Sequence, residues 1–283
     1  MSAIRLIYIV GAGHCGSTLL DMLLDGNSEI CGLGEVASLP AYARGERGPK
    51  GGFLGSPFWQ EADVKFRQLT GKGLVDIDLM HPIEWPAIEA WDAYGLEKFA
   101  RENSDFFESM AGVANKRILV DSSKSAKRLY LLHKTGAFDI KAIHLLRDGR
   151  AVVNSYVRLY GRKGYEMGIH YFKMRNNEAA RIRRYFSGEN WLQVRYEEFC
   201  IAPEPSLKNI CAFIGVTYEP QMFGLEREYY NGILLNANIM RKRQEGRPGQ
   251  RILLDEKWKR ELAWYYKIGF MLRAGMLNRR MGY

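Results

Sequence analysis

Short, predominantly apolar runs recur along the chain, and each is followed by a stretch in which apolar positions return every three or four residues. Residues 4–10 form the first run, and 117–121, 141–147 and 191–196 repeat the pattern. Runs of this length, apolar at consecutive positions and rich in β-branched side chains, suit strands buried on both faces. The intervening periodicity predicts helices over 17–24, 126–134, 150–159, 166–186 and 204–214. Strands alternating with helices imply an α/β fold with a central parallel sheet flanked by helices. Residues 30–35 (ICGLGE) form a further candidate strand, but a poor one because of its two glycines.

Residues 40–115 break the rhythm. Their first part, ARGERGPKGGFLGSPFW, is loop-like because Gly and Pro resist both helix and strand. The later part carries Trp59, Trp85, Trp91, Phe106 and Phe107, which either line an inserted helical acceptor-binding region or form an ordinary helical layer of the core. At 283 residues the chain is expected to be one domain, 1–283, with 40–115 as that insertion.

The net charge of +9 suits a polyanionic ligand, a nucleic acid or an acidic membrane surface. The basic residues are dispersed and no nucleic-acid motif is recognisable, so no nucleic-acid partner is expected. Cys15, Cys31, Cys200 and Cys211 form no CxxC pair, and with five scattered histidines they give no metal-ligand spacing. No metal is expected, and reduced thiols fit a cytoplasmic protein. The first residues read as a strand running into a glycine turn, without a signal-peptide layout. Residues 262–277 are the closest approach to a membrane segment, but Lys267 and Arg273 interrupt them. A C-terminal helix packed on the core is expected there, in preference to a membrane-surface helix, and no membrane span.

Residues 11–18 (GAGHCGST) join the first strand to an apolar helix. Successive backbone N–H groups in such a loop cradle a phosphate at the positive end of the helix dipole. The segment matches GxGxxG, but a dinucleotide fold needs an intact second strand ending in an acid, which 30–35 does not supply. It also matches GxxxxGK[ST], with Ser17 in place of the lysine that triphosphate chemistry uses. A small-molecule P-loop kinase, with Asp121 as the magnesium acid, is therefore the second reading.

Four separated segments resemble the 3′-phosphoadenosine-5′-phosphosulfate (PAPS)-dependent sulfotransferases. They are 14–18 (HCGST), 32–35 (GLGE), 120–124 (VDSSK) and 147–155 (RDGRAVVNS). The resemblance implies a P-loop-like three-layer fold and sulfuryl transfer from PAPS to a hydroxyl or amine of a small-molecule acceptor. Gly13, His14, Cys15, Gly16, Ser17 and Thr18 would form the 5′-phosphosulfate loop, with His14 where many members carry Lys or Arg. Glu35 would be the base on the acceptor, with His14 as the alternative, and Lys124 would neutralise the sulfuryl oxygens. Arg147 and Ser155 would meet on the 3′-phosphate, to which a planar fork of donors and a hydroxyl are suited. Tyr196, in a VRYE segment, would approach the adenine. Arg241, Arg247 and Arg251 are candidates for a basic loop over the 3′-phosphate.

Overall fold

A computed structural model describes residues 4–46, 56–79, 93–223 and 252–283. The strands are β1 (Arg5–Gly11), β2 (Ile30–Gly32), β3 (Ile118–Lys124), β4 (Asp139–Leu146) and β5 (Trp191–Arg195). They form one all-parallel sheet in the order β2-β3-β1-β4-β5. The helices are α1 (Ser17–Asp25), α2 (Leu39–Ala43), α3 (Pro57–Thr70), α4 (Ala93–Ala114), α5 (Ala126–Thr135), α6 (Gly149–Tyr160), α7 (Arg162–Ile182), α8 (Tyr196–Ile201), α9 (Pro203–Ile214), α10 (Trp258–Glu261) and α11 (Trp264–Arg280). No described helix is long and apolar enough to cross a membrane.

Strand alternation divides the interior into two layers. Leu6, Tyr8 and Val10 of β1 join the cluster that holds side chains of α3, α4 and α5. Ile7 and Ile9 join the opposite cluster, with side chains of α1, α8 and α9. The unbroken apolar run of β1 is thus a consequence of burial on both faces. A third cluster, around Phe172 and Phe270, joins α6 and α7 to α11.

Two expectations are refined. Residues 30–32 do form an edge strand despite the glycines, because carboxylates of α1 satisfy nearby amides. Asp25 accepts from Gly32 N (2.8 Å) and Asp21 from Gly34 N (3.1 Å). The helix expected over 166–186 begins earlier, as α7, and closes in a 3-10 turn, Arg183–Tyr185.

Trp59, Phe106 and Phe107 are fully buried in the Tyr8-side cluster, so these aromatics are core. Trp85 and Trp91 lie outside the described residues. The region is tied to the sheet through Arg128, whose guanidinium donates to the Leu79 carbonyl and pairs with Asp121 at 3.0 Å. Both side chains of that ion pair are 0% exposed.

Removing one partner of a buried pair leaves the other charge uncompensated, at a cost of about 3–5 kcal/mol. Arg128→Met is accordingly expected to lower unfolding stability by that amount in urea titrations, and Asp121→Asn, Arg128→Met together by less. Equal losses for the single and double variants would show that the pairing is not the source.

Candidate active site

The sheet register brings the site together. Val10 stands opposite Lys124 and Gly11 opposite Leu145, so the loop after β1, the end of β3 and Arg147 after β4 share one edge. The Gly34 carbonyl accepts from Ser122 N at 2.8 Å, which adds Glu35 to the same edge. Ligands of open α/β sheets bind at this carboxyl edge, where successive connections diverge.

Gly16 caps α1 in a left-handed conformation (φ 99°) and offers no side chain to the helix's first amides. A helix terminus of this kind is suited to an anion. A Cβ on Gly16 would stand 2.5 Å from the Tyr196 ring, and one on Gly13 would stand 2.5 Å from Tyr156 Oη. Glycine is needed at both places because two aromatic side chains press on the loop. Ser17 is buried and Thr18 half-buried, whereas His14 is exposed and packs edge-on against Tyr156 at 4.7 Å. The Cys15 side chain points under the loop into the core, and burial pushes its thiol up from the ordinary value. Only the backbone of Cys15 faces the loop's open side. Lys124, opposite Val10, and Arg147, bonded to the His14 carbonyl, bring two cations to the loop.

Lys124 Nζ donates to Glu35 Oε1 and, at 3.2 Å, to the Ser122 carbonyl. Among the described residues only His14 (φ 61°), Asn115 (φ 51°) and Lys124 (φ 64°) are non-glycine residues with positive φ. Such backbone costs on the order of 1–3 kcal/mol and clusters at functional sites. Two of the three residues flank this edge.

Arg147 is nearly buried. It donates to the His14 carbonyl (2.7 Å) and the Asp255 carbonyl (3.2 Å), and its guanidinium lies 4.4 Å from the Tyr196 ring centre. Among the described residues its buried Nε has no hydrogen-bond partner, an orphaned donor of the kind a phosphate oxygen satisfies. Ser155 is half-buried on α6, where its hydroxyl donates to the Ala151 carbonyl at 3.1 Å. The candidates Arg241, Arg247 and Arg251 lie outside the described residues, but the chain that follows them arrives at Arg147 through Asp255.

The turn after Arg147 is held from the C-terminus. Glu197 accepts from Asp148 N (3.0 Å) and from Tyr283 Oη (2.5 Å), and Asn278 Oδ1 accepts from Gly149 N (2.8 Å). These side chains, with Asp255 and Tyr156, are the site residues that sequence reasoning missed. The only local signals were that Tyr156 follows Ser155 and that Glu197 follows Tyr196. Tyr156 stacks on Tyr171 (5.9 Å, 17°), and burial, reinforced by Tyr171 and Tyr160, pushes its phenol up to about 12. It stays neutral at ordinary pH and is available as a hydroxyl donor. A cleft of about 500 Å³ continues from Tyr171 between α7 and α11, lined by Met167, His170, Met174 and Arg273. Asp121, the acid that the kinase reading requires, has its two oxygens engaged by Ser123 and Arg128 inside the core.

The sequence profile of the sulfotransferase family matches residues 7–220. No curated protein matches the chain in sequence. Three solved structures share the fold. The sulfotransferase domain of an olefin synthase from Synechococcus PCC 7002 is 21% identical, with a TM-score of 0.67 over 100% of this chain and 96% of that one. The sulfotransferase domain of the curacin biosynthetic pathway is 18% identical, with a TM-score of 0.59 over 98% of each chain. A sulfotransferase from Mycobacterium avium is 13% identical, with a TM-score of 0.51 over 98% of this chain and 77% of that one. With a profile that covers most of its length and holds the phosphate loop, Glu35, Lys124, Arg147 and Ser155 together, the chain belongs to the sulfotransferase family.

Proposed function

We propose that this sulfotransferase takes PAPS as its donor and sulfates a hydroxyl or amine of a small molecule, with Glu35 as the base. The observation that carries the reading is the pairing of Glu35 with Lys124 beside the phosphate loop, one carboxylate and one cation at the same edge. The orphaned Arg147 Nε and the two glycines that admit a close ligand support PAPS as the donor. When bound, PAPS supplies an activated sulfuryl group whose bond to the 5′-phosphate oxygen breaks as the acceptor's bond to sulfur forms.

The chain's own groups divide the remaining work. The loop amides and the α1 terminus hold the 5′-phosphate. Arg147 and Ser155 hold the 3′-phosphate, and Tyr196 offers its ring to the adenine. Glu35 takes the acceptor's proton and Lys124 offsets negative charge on the sulfuryl oxygens, both in the transition state. Residues 40–115 frame the acceptor side, since Glu35 leads directly into the 3-10 turn Val36–Ser38 and α2. Ala37 N donates to Ser123 Oγ at 2.8 Å, which fixes the start of that region beside β3.

Arg147→Ala is expected to weaken the bisphosphate product, 3′-phosphoadenosine-5′-phosphate, by about 1.5–3 kcal/mol in calorimetry, the worth of charged hydrogen bonds. Adenosine 5′-phosphosulfate, which lacks the 3′-phosphate, should respond far less. Equal losses for the two ligands would refute the placement.

Tyr283→Phe frees one Glu197 oxygen and loosens the Arg147 turn. About 0.5–1.5 kcal/mol of bisphosphate affinity should go with it. Adenosine 5′-phosphosulfate should bind as before, whereas a general loss of structure would weaken both ligands.

Glu35→Gln keeps the shape but cannot take a proton, so single-turnover transfer should fall by about 10²–10⁴-fold at unchanged bisphosphate affinity. Lys124→Ala should likewise lower turnover more than donor affinity. Near-normal transfer by Glu35→Gln, with none by His14→Ala, would move the base to His14.

A further inference from the structure

We propose that the outer face of α11 is a docking surface for an anionic lipid bilayer, on which the protein rests peripherally. The two faces of this helix differ sharply. Phe270, Ala274 and Asn278 are buried against the body of the protein. Trp264 (71% exposed), Ile268 (53%), Leu272 (83%) and Met276 (67%) recur every fourth residue, with Tyr265 (55%) beside them. At ~1.5 Å per residue they form a ridge roughly 18 Å long. Single exposed apolar side chains need no explanation, but an aligned row of them marks an interaction surface.

The charge on the helix selects the partner. Between Trp264 and Arg280 there are four cations, Lys267, Arg273, Arg279 and Arg280, and no carboxylate. Arg273 is held by Glu166 at 2.7 Å, while Arg279 and Arg280 are exposed on the last turn, on a chain of net charge +9. A second copy docked through the same face would set these cations against one another, which disfavours self-association. The anchor residues of protein interfaces, by contrast, fill pockets of a matched partner. A fluid layer of anionic headgroups accommodates both features, with apolar tips between acyl chains and cations at the phosphates. Because Asn278 on the inner face holds Gly149 N, docking would fix the orientation of the whole active edge to the surface.

The test is flotation of the full chain with vesicles of phosphatidylcholine alone and of phosphatidylcholine mixed with phosphatidylglycerol. Binding is expected on the mixed vesicles, weakened by salt. Leu272→Glu should weaken it by roughly tenfold or more through lost apolar insertion. Arg279→Gln and Arg280→Gln should weaken it by roughly fivefold each. All three side chains are exposed, so melting temperature and bisphosphate affinity should stay at wild-type values and keep this test independent of the proposed chemistry. Absence of vesicle binding, equal binding to both vesicle types, or binding indifferent to Leu272→Glu overturns the proposal. A dimer in light scattering that Leu272→Glu abolishes, without vesicle binding, overturns it in favour of a second copy.

Discussion

The carboxyl end of β1 is where the fold meets its tightest constraint. The strand lies between β3 and β4 and is buried on both faces, so its continuation must leave over the edge of the sheet. It does so against the neighbouring backbone, since a Cβ on Gly11 would stand 2.5 Å from the Leu145 carbonyl. The loop then turns under Tyr156 and Tyr196 before α1 begins. Once that path is set, strand register brings Lys124 to one side of the loop and the end of β4, with Arg147 just after it, to the other.

The protein buries charge around this edge in two ways. Asp121 pairs with Arg128 in the core, and the pair ties the distant 56–79 segment to the sheet through Leu79. Among the described residues Asp21 has no such partner, and burial holds its carboxyl well above the usual carboxylate range, toward the neutral acid. It still accepts from Gly34 N, one residue before Glu35. Both acids serve to place backbone, whereas Glu35 pairs with Lys124 at the edge.

The C-terminal helix links two scales of the molecule. Its inner residues reach the turn that carries Arg147, and a Cβ on Gly149 would stand 2.4 Å from the Phe270 ring. The position of Arg147 therefore depends on packing contributed by the far end of the chain. The outward apolar ridge belongs to the same rigid element, so a surface that holds the ridge also holds the turn.

Patterns confined to a few neighbouring residues were open to reading from the chain alone. Strands buried on both faces appear as apolar runs, the turn from β1 into α1 as glycines at fixed offsets, and Arg147 and Ser155 as a strand end with a hydroxyl two helical turns on. The edge strand β2 was read as poor because its support comes from carboxylates on α1, and strand propensity does not register side-chain-to-backbone bonds. Tyr283 meets Glu197 across 86 positions and Asn278 meets Gly149 across 129. Nothing in the local composition around either end announces such a contact. The aromatics of 40–115 were ambiguous for a related reason, because a pocket wall and a core layer draw on the same residue types. The burial of Trp59, Phe106 and Phe107 on the Tyr8 face of the sheet followed from how α3 and α4 pack, and packing is a property of surfaces brought together only by the folded chain.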